Sequence, residues 1–428
     1  MLKDKTLIYI TNIYPFGNGE EFVAQEMNFL APSFKNVIIL SRNIQDPQTR
    51  DVPEGCEIRR YDVPATSGAK FAAAFNGFRP LFWKEFLKSI KHFDIPSKFS
   101  AIKTLLFAMY KGNQFRQYLE NLIAEKGLNY TDVVLFNYWI SDETFATSAL
   151  KQAHPEITAI SRSHRWDLYF ERNENNFLPL RFFIQKYMDA FFFIATDGAN
   201  YFRQKLKLTA QASKNLMVSR LGVLNSRASY KIELNRDELH LVSCSMIYAN
   251  KRVDLIVETL AQLENVKVKW IHFGEAYDEK DMEALKAQAE TELGPKENIT
   301  FELAGFRTNE QVYDYYANNN VDLLINLSAS EGVPVSMMEC MSFGIPVLAT
   351  KVGGVAEIVT NATGFLLSPD PEPGEVAEKI EHYATLSDNK KLKLREGALK
   401  MWNERYNARA NYDSLIENLE TIVAKNSK

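Results

Sequence analysis

Glu331 and Glu339 stand eight positions apart in the run 328–365, SASEGVPVSMMECMSFGIPVLATKVGGVAEIVTNATGF. Carboxylates accept strong, charge-assisted hydrogen bonds from hydroxyls. Their neighbours decide where they sit. Gly332-Val333-Pro334 interrupts the chain ahead of a short apolar helix pattern, which Gly344 ends. A buried-strand pattern over 345–349 follows, and then a Gly353-Gly354 turn leading to Glu357. The expected order is loop, helix, strand, glycine turn, helix. It puts Glu331 at the mouth of a cleft and Glu339 on the helix behind it. That placement suits a ligand with two polyhydroxyl parts, one for each carboxylate. A nucleotide sugar is such a ligand.

Three other places carry chemistry. Lys251 lies in CSMIYANKRVDLIVETL, after a strand pattern and before a helix pattern, with Arg252 next to it. His164 lies in ISRSHRWDLYFER, just past a strand pattern at 157–161, with Asp167 three residues on. Arg162 and Arg165 flank the histidine and are expected to face phosphate. Gly17-Asn18-Gly19 follows the first strand pattern, and glycines let a backbone approach a ligand closely.

The run 328–365 resembles the family 4 glycosyltransferases (glycosyl transferases group 1), enzymes of the GT-B fold with an E-x7-E signature. Glu-Gly-x-Pro, the second Glu, Gly-x-Pro-Val and Gly-Gly-x-x-Glu occur in the family's order. The resemblance spans nearly the whole chain and is strongest over 239–367. It implies an α/β architecture of two Rossmann-like, doubly wound parallel-sheet domains facing across a cleft. It also implies roles for residues. Glu331 would bind hydroxyls of the donor sugar, with the Gly332 and Val333 amides near sugar and phosphate. Glu339 would accept hydrogen bonds from the two ribose hydroxyls. Ser336 and Met337 would lend backbone N–H groups to the diphosphate. Lys251 would neutralise the leaving diphosphate. The family pairs that lysine with an arginine five residues earlier, where this chain has Met246, so Arg252 or Arg220 is left to supply the second charge. His164 would meet the donor sugar near the reacting carbon. Gly17 and Gly19 would lie beside donor phosphate and acceptor, Gly274 would border the nucleotide, and Phe306 and Arg307 would meet the base.

The activity so implied is a retaining, metal-independent transfer from a nucleoside-diphosphate sugar, with uridine as the default base. No cofactor is expected, because the nucleotide sugar is a substrate. The expected acceptor is a growing, lipid-linked bacterial glycan of the capsule, exopolysaccharide or lipopolysaccharide kind. Two other readings stand beside this one. Met246 favours a catalytically silent partner subunit that binds a nucleotide sugar. A nucleotide-sugar epimerase or hydrolase would need no acceptor.

These residues must be positioned by alternating strands and helices. Short apolar runs at 7–11, 37–41, 133–136, 157–161, 191–195 and 217–221 alternate with amphipathic patterns in the first half. Runs at 241–244, 268–273, 299–303, 323–327 and 347–349 do so in the second. That alternation predicts βαβ units on parallel sheets. Eleven strands suit two sheets of five or six better than one. The polar stretch 224–237 is the expected linker. The expected domains are therefore an acceptor-side domain, 1–225, and a nucleotide-sugar domain, 226–405. A final helix, 406–428, is expected to pack back on the first domain, as the resemblance implies.

Bulk properties narrow the class further. The chain has 428 residues, 46% hydrophobic and 24% charged, which suits about two or three globular domains. No apolar run is long enough to cross a bilayer. The opening MLKDKTLIYITN enters a strand pattern directly, without the features of a signal peptide. Cys56, Cys244 and Cys340 are far apart and lack metal-ligand spacing. A cytoplasmic protein is expected. Charge is uneven: residues 1–226 carry 28 basic and 22 acidic side chains, a net of +6, against −4 for the whole chain. The stretch 70–118 holds nine Lys or Arg and twelve aromatics. That combination reads as an element peripheral to the inner face of an anionic membrane. Nucleic acid is not an expected partner, since the whole chain is acidic and no nucleic-acid motif appears.

Overall fold

The computed structural model describes residues 1–62, 68–227 and 237–426. It contains two compact units. One is Met1–Arg220 with Arg409–Lys428, and the other is Leu221–Ala408. The first division thus lies at Arg220/Leu221. The expected linker, 224–237, falls mostly on residues 228–236, outside the described residues.

The N-terminal unit is built on strands β1 (Thr6–Thr11), β2 (Asn36–Ser41), β3 (Cys56–Arg60), β4 (Val133–Asn137), β5 (Thr158–Ser163), β6 (Ala190–Phe193) and β7 (Leu216–Val218). Their order is β3-β2-β1-β4-β5-β6-β7, and every pairing is parallel. Parallel sheets are covered on both faces, so their strands read as unbroken apolar runs. Every residue of β1 is buried. Edge strand β3, CEIRR, is half-exposed and has no such run. For that reason the sequence pattern does not announce it.

Helices α1 (Glu21–Leu30), α2 (Ala69–Ala74), α3 (Pro80–His92) and α4 (Lys98–Glu125) belong to this unit. Phe82 and Phe86 of α3 and Phe115 of α4 join Ile8, Ile10 and Leu135 in one core cluster. Elsewhere in the interior, Tyr9 Oη donates to Glu26 Oε1 at 2.7 Å. Glu26 in turn pairs with Arg162 at 2.7 Å, neither being exposed. Arg162 therefore does not face phosphate as expected. β5 is buried throughout, and the guanidinium is spent on Glu26 and on the Ser219 carbonyl at 3.1 Å. The helix Ala408–Asn426 closes the unit. Tyr412 lies 5.1 Å from Phe29, ring to ring, and Asn426 Nδ2 donates to Thr158 Oγ1 at 3.2 Å.

The C-terminal unit holds β8 (Glu238–Cys244), β9 (Lys267–Phe273), β10 (Ile299–Leu303), β11 (Leu323–Asn326), β12 (Val347–Thr350) and β13 (Gly364–Leu367). The order is β10-β9-β8-β11-β12-β13, again parallel throughout. Neighbouring residues feed opposite faces. Leu241, Trp270 and Leu323 enter one cluster, while Val242, Ile271 and Leu324 enter the other. Edge strand β13 was not expected either, being four residues long and opened by Gly364. A Cβ at that glycine would lie 1.9 Å from the Val347 carbonyl oxygen. The chain enters and leaves this unit side by side, with Val223 N–H donating to Tyr406 and Ala408 N–H donating to Val223.

In open α/β sheets, ligands bind beyond the carboxyl ends of strands where the strand order reverses. Here the reversals fall between β1 and β4 and between β8 and β11. The loops after those four strands carry Gly17 and Gly19, Trp139, Lys251, and Glu331 respectively.

Candidate functional site

In the C-terminal unit the loops after β8 and β11 are joined backbone to backbone. Ala329 N–H donates to the Asn250 carbonyl at 2.8 Å, and Asn250 Nδ2 donates to the Ser330 carbonyl at 3.1 Å. That joint brings Lys251 to Glu331. The ammonium donates to Glu331 Oε1 at 2.6 Å, with only 19% and 8% of the two side chains exposed. The Glu331 loop is also held from below. Thr350 Oγ1 donates to the Ser328 carbonyl at 2.6 Å, and Gly354 N–H donates to the Gly332 carbonyl at 3.0 Å. Gly353 has φ +49°, and a Cβ there would sit 1.9 Å from the Glu331 carbonyl oxygen. The Gly-Gly turn is thus required by the close approach of two backbones.

Gly332 has open space where a side chain would be. Val333 is half-buried, and the helix Val335–Met341 begins after Pro334. Ser336 lies in its first turn, half-buried, followed by the buried Met337. Glu339 is almost fully buried. Burial pushes its carboxyl up to about 7, and a hydrogen bond from Asn309 acts the other way. Asn309 Nδ2 donates to Glu339 Oε1. Burial likewise pushes the Cys244 thiol up to about 12, with Glu339 adding to it and Lys251 opposing it.

Gly274 and Gly305 meet through a Gly274 N–H bond to the Gly305 carbonyl at 2.9 Å. Gly274 has φ +145°, and a Cβ there would be 1.8 Å from the Ser245 carbonyl oxygen. Phe306 next door is exposed, and Arg307 donates to its carbonyl at 2.9 Å. Arg252 is spent on bracing. It donates to the Leu327 carbonyl at 2.6 Å, to Asp370 at 2.7 Å and to the Pro369 carbonyl at 2.9 Å. Met246 is half-buried in the same loop as Lys251.

In the N-terminal unit the glycine loop and His164 are brought together by residues that the sequence pattern did not single out. Glu20 accepts hydrogen bonds from the N–H groups of Asn12 at 2.9 Å, Ile13 at 2.8 Å and Tyr14 at 2.6 Å. It also accepts from Trp139 Nε1. Gly17 and Gly19 have φ +55° and +118°. Gly17 N–H is already donated to the Pro47 carbonyl at 3.1 Å, and Arg50 donates to the Gly19 and Phe16 carbonyls. The imidazole of His164 packs against Tyr138 and Trp139, each with its centroid 4.4 Å away. Its backbone N–H donates to Asp167 Oδ1 at 2.7 Å, while Asp167 Oδ2 accepts from Ile140 N–H at 2.7 Å. Burial pushes the Asp167 carboxyl up to about 6 against the pull of those two N–H groups. Burial, and then Arg162, holds the His164 imidazole well below its ordinary range. It is neutral at pH 7. Trp166 lies 5.1 Å from Trp139, ring to ring and tilted, and stays exposed.

The sequence reading missed Asn309, Asn250, Glu20 and Trp139. Asn309 had a signal, since Thr308-x-x-Gln311 forms a capping box that fixes the helix start beside it. The others act through backbone contacts between distant segments and leave no spacing pattern. Among the described residues, no group of three or more His, Cys, Asp or Glu could hold a metal ion.

Residues 226–401 match the family described as Glycosyl transferases group 1. WcaL of Salmonella typhimurium, named as a colanic acid biosynthesis glycosyltransferase, is 23% identical over 225 residues, covering 51% of this chain and 54% of its own. The amylovoran biosynthesis glycosyltransferase AmsK of Erwinia amylovora is 24% identical, covering 41% and 43%. The chain thus spans about half the length of the curated relatives it matches. The lipopolysaccharide outer core galactosyltransferase WaaB superposes with a TM-score of 0.66 at 13% identity, covering 98% of this chain and 99% of that one. HepE of Anabaena, solved in complex with UDP-glucose, superposes with a TM-score of 0.57 at 16% identity over 97% and 99%. The fold they share with this chain is GT-B.

Proposed function

We propose that this chain, whose residues 226–401 belong to the group 1 glycosyltransferases, moves a sugar from a nucleoside-diphosphate sugar to a growing bacterial polysaccharide. The observation that carries this reading is the Lys251–Glu331 pair at the strand-order reversal of the C-terminal unit. An ammonium and a carboxylate 2.6 Å apart lie within reach of one ligand. A sugar diphosphate offers an anion to the first and hydroxyls to the second. Glu339, oriented by Asn309, would take the two ribose hydroxyls, and the exposed Phe306 would give the base a flat apolar surface. The amides of Gly332, Val333, Ser336 and Met337 and the Gly274 and Arg307 positions complete the donor assignment. Gly17 and Gly19 offer a donor little, because the N–H of Gly17 and the carbonyl of Gly19 are already used.

The chemistry proposed for those parts is the one that the family resemblance implies. The bond between the anomeric carbon and the diphosphate oxygen breaks, and the acceptor oxygen bonds to that carbon on the same face. The leaving diphosphate takes the acceptor's proton, so configuration is retained without a covalent intermediate or a metal ion. The protein supplies position and charge. Neutral His164 is suited to accept a hydrogen bond from a sugar hydroxyl. The base is uridine and the acceptor is lipid-linked, with the protein peripheral at an anionic cytoplasmic membrane surface. WcaL, AmsK and WaaB support a surface-glycan pathway by their names, and HepE supports a uridine donor.

A thermal-shift screen with UDP, GDP, ADP and CMP tests the reading, followed by sugar release from donors of the winning base. UDP is expected to give the largest shift, with slow donor hydrolysis. Met246 at the second cation's place supports a silent donor-binding subunit instead. A shift without any turnover would favour that alternative, and no shift with any nucleotide would contradict both.

A further inference from the structure

We propose that an exposed aromatic ridge on α2, α3 and their connection docks the protein on an anionic lipid bilayer. The idea rests on the reading of a lipid-linked acceptor, and it names residues that the donor site does not use. Aromatics in the first part of the stretch, 71–93, divide between core and surface. Phe82, Phe86 and Phe93 turn into the core. Phe71, Phe75, Phe78, Trp83 and Leu87 turn out, at 77, 69, 84, 51 and 56% exposure.

The outward side chains form one surface. Phe71 and Phe75 are four residues apart, the spacing that puts two side chains on one helix face. The Phe75 and Phe78 rings lie 6.3 Å apart. Trp83 Nε1 donates to the Gly77 carbonyl at 2.9 Å, which ties the start of α3 to the connection. Leu87 follows Trp83 by one helical turn. Contiguous apolar surface of this kind marks an interaction site on a soluble protein.

Charge selects the occupant. The exposed ionised side chains described over 71–106 are Arg79, Lys84, Lys88, Lys91, Lys98 and Lys103 against Asp94 alone. Glu85 is buried. Aromatic rings beside lysines match the boundary between headgroups and acyl chains, where rings sit at headgroup depth and lysines reach lipid phosphates. Beside α3 a cavity of about 450 Å³ is lined by Lys84, Lys88 and Lys186 together with Glu85 and Phe182. Lys88 Nζ sits 3.9 Å above the Phe182 ring. Three ammonium groups around a pocket at the edge of the ridge suit a phosphate headgroup. No helix among the described residues is long and apolar enough to cross a membrane, so this contact would lie on the surface.

Vesicle flotation of the full chain tests the proposal. Vesicles are made of phosphatidylcholine alone or doped with phosphatidylglycerol. The wild type is expected to float with the doped vesicles and to dissociate as salt is raised. Phe75→Ser/Phe78→Ser and Lys84→Glu/Lys88→Glu should each lower the bound fraction roughly tenfold or more. All four sites are exposed, so UDP binding should stay at the wild-type level, which checks the fold and separates this idea from the donor-site reading. Wild-type protein that binds UDP but ignores phosphatidylglycerol vesicles overturns it. So does a concentration-dependent dimer that Phe78→Ser dissolves, because the ridge would then be covered by a second copy.

Discussion

The two candidate sites are held by different physics. In the C-terminal unit, Lys251 and Glu331 stand on loops stapled to each other through backbone groups, with Gly353 and Gly354 pressed against the Glu331 loop. In the N-terminal unit, His164 is wedged between the rings of Tyr138 and Trp139, and two buried carboxylates, Glu20 and Asp167, collect the surrounding N–H groups. The first design fixes the polar groups that would touch a ligand. The second keeps an imidazole neutral by removing water from around it. Loops held by backbone bonds tolerate few changes at glycine, while a ring wedge tolerates few changes at the carboxylates that aim it.

The largest expected effect separates chemistry from scaffold in the C-terminal unit. Glu331→Ala and Lys251→Ala should each cut transfer by ~10³-fold or more, with circular dichroism unchanged. Wild-type turnover in either variant would remove the site assignment. Next comes the staple itself. Gly353→Ala adds a Cβ that would meet the Glu331 carbonyl. It should cost roughly 2–4 kcal/mol in denaturant unfolding, along with most of the activity.

The N-terminal counterpart is Asp167→Ala. It orphans the N–H groups of Ile140 and His164, at about 1–3 kcal/mol for each. Stability to urea should fall while UDP affinity stays. An equal loss of UDP affinity would contradict the separation drawn between the two units.

A smaller effect is set by pH. The Glu339 carboxyl is pushed up to about 7 by burial, and in the proposed donor site its ionised form would accept from two ribose hydroxyls. UDP affinity should therefore rise roughly tenfold from pH 6 to pH 8, and Glu339→Gln should flatten that rise. The same group acts on stability with the opposite sense. Its folded value lies above its unfolded one, so the stability it contributes is present at acid pH and is lost as pH rises through about 7. The smallest expected effect on turnover is at Arg252. Its donors go to Leu327, Pro369 and Asp370, so Arg252→Gln should cost about 1–2 kcal/mol of stability and change transfer only a few-fold. A loss as deep as that of Lys251→Ala would make Arg252 the missing second cation.

Legibility in the sequence follows the same division. The central strands were readable because parallel strands covered on both faces need apolar runs, as β1 and β8 show. Edge strand β3 is half-exposed and carries no such run, and β13 offers only the three apolar residues after Gly364. The candidate donor residues were proposed from the sequence because glycine, proline and glutamate fall at fixed spacings within one short segment. The surroundings of His164 were readable only at Asp167, three residues on, since Glu20 and Trp139 come from separated segments and meet it only in the fold. Arg162 shows the limit most directly. An arginine beside a candidate catalytic histidine reads as a phosphate ligand, yet the nearby Glu26 carboxylate claims it inside the unit. The stretch 70–118 was half-readable. Its composition signals an amphipathic surface, but the division into core-facing Phe82 and Phe86 and outward Phe75 and Phe78 needs the helix ends.

The most direct test of the donor site is calorimetric titration of UDP into wild type, Lys251→Ala, Glu339→Ala and the double variant. The account predicts that each single change weakens binding at least ~10-fold, the loss of one charge-assisted contact or more. The double variant should be weaker still, and all four proteins should melt as folded. Wild-type affinity in both single variants would contradict it, because the nucleotide would then be held somewhere other than the loops after β8 and β11.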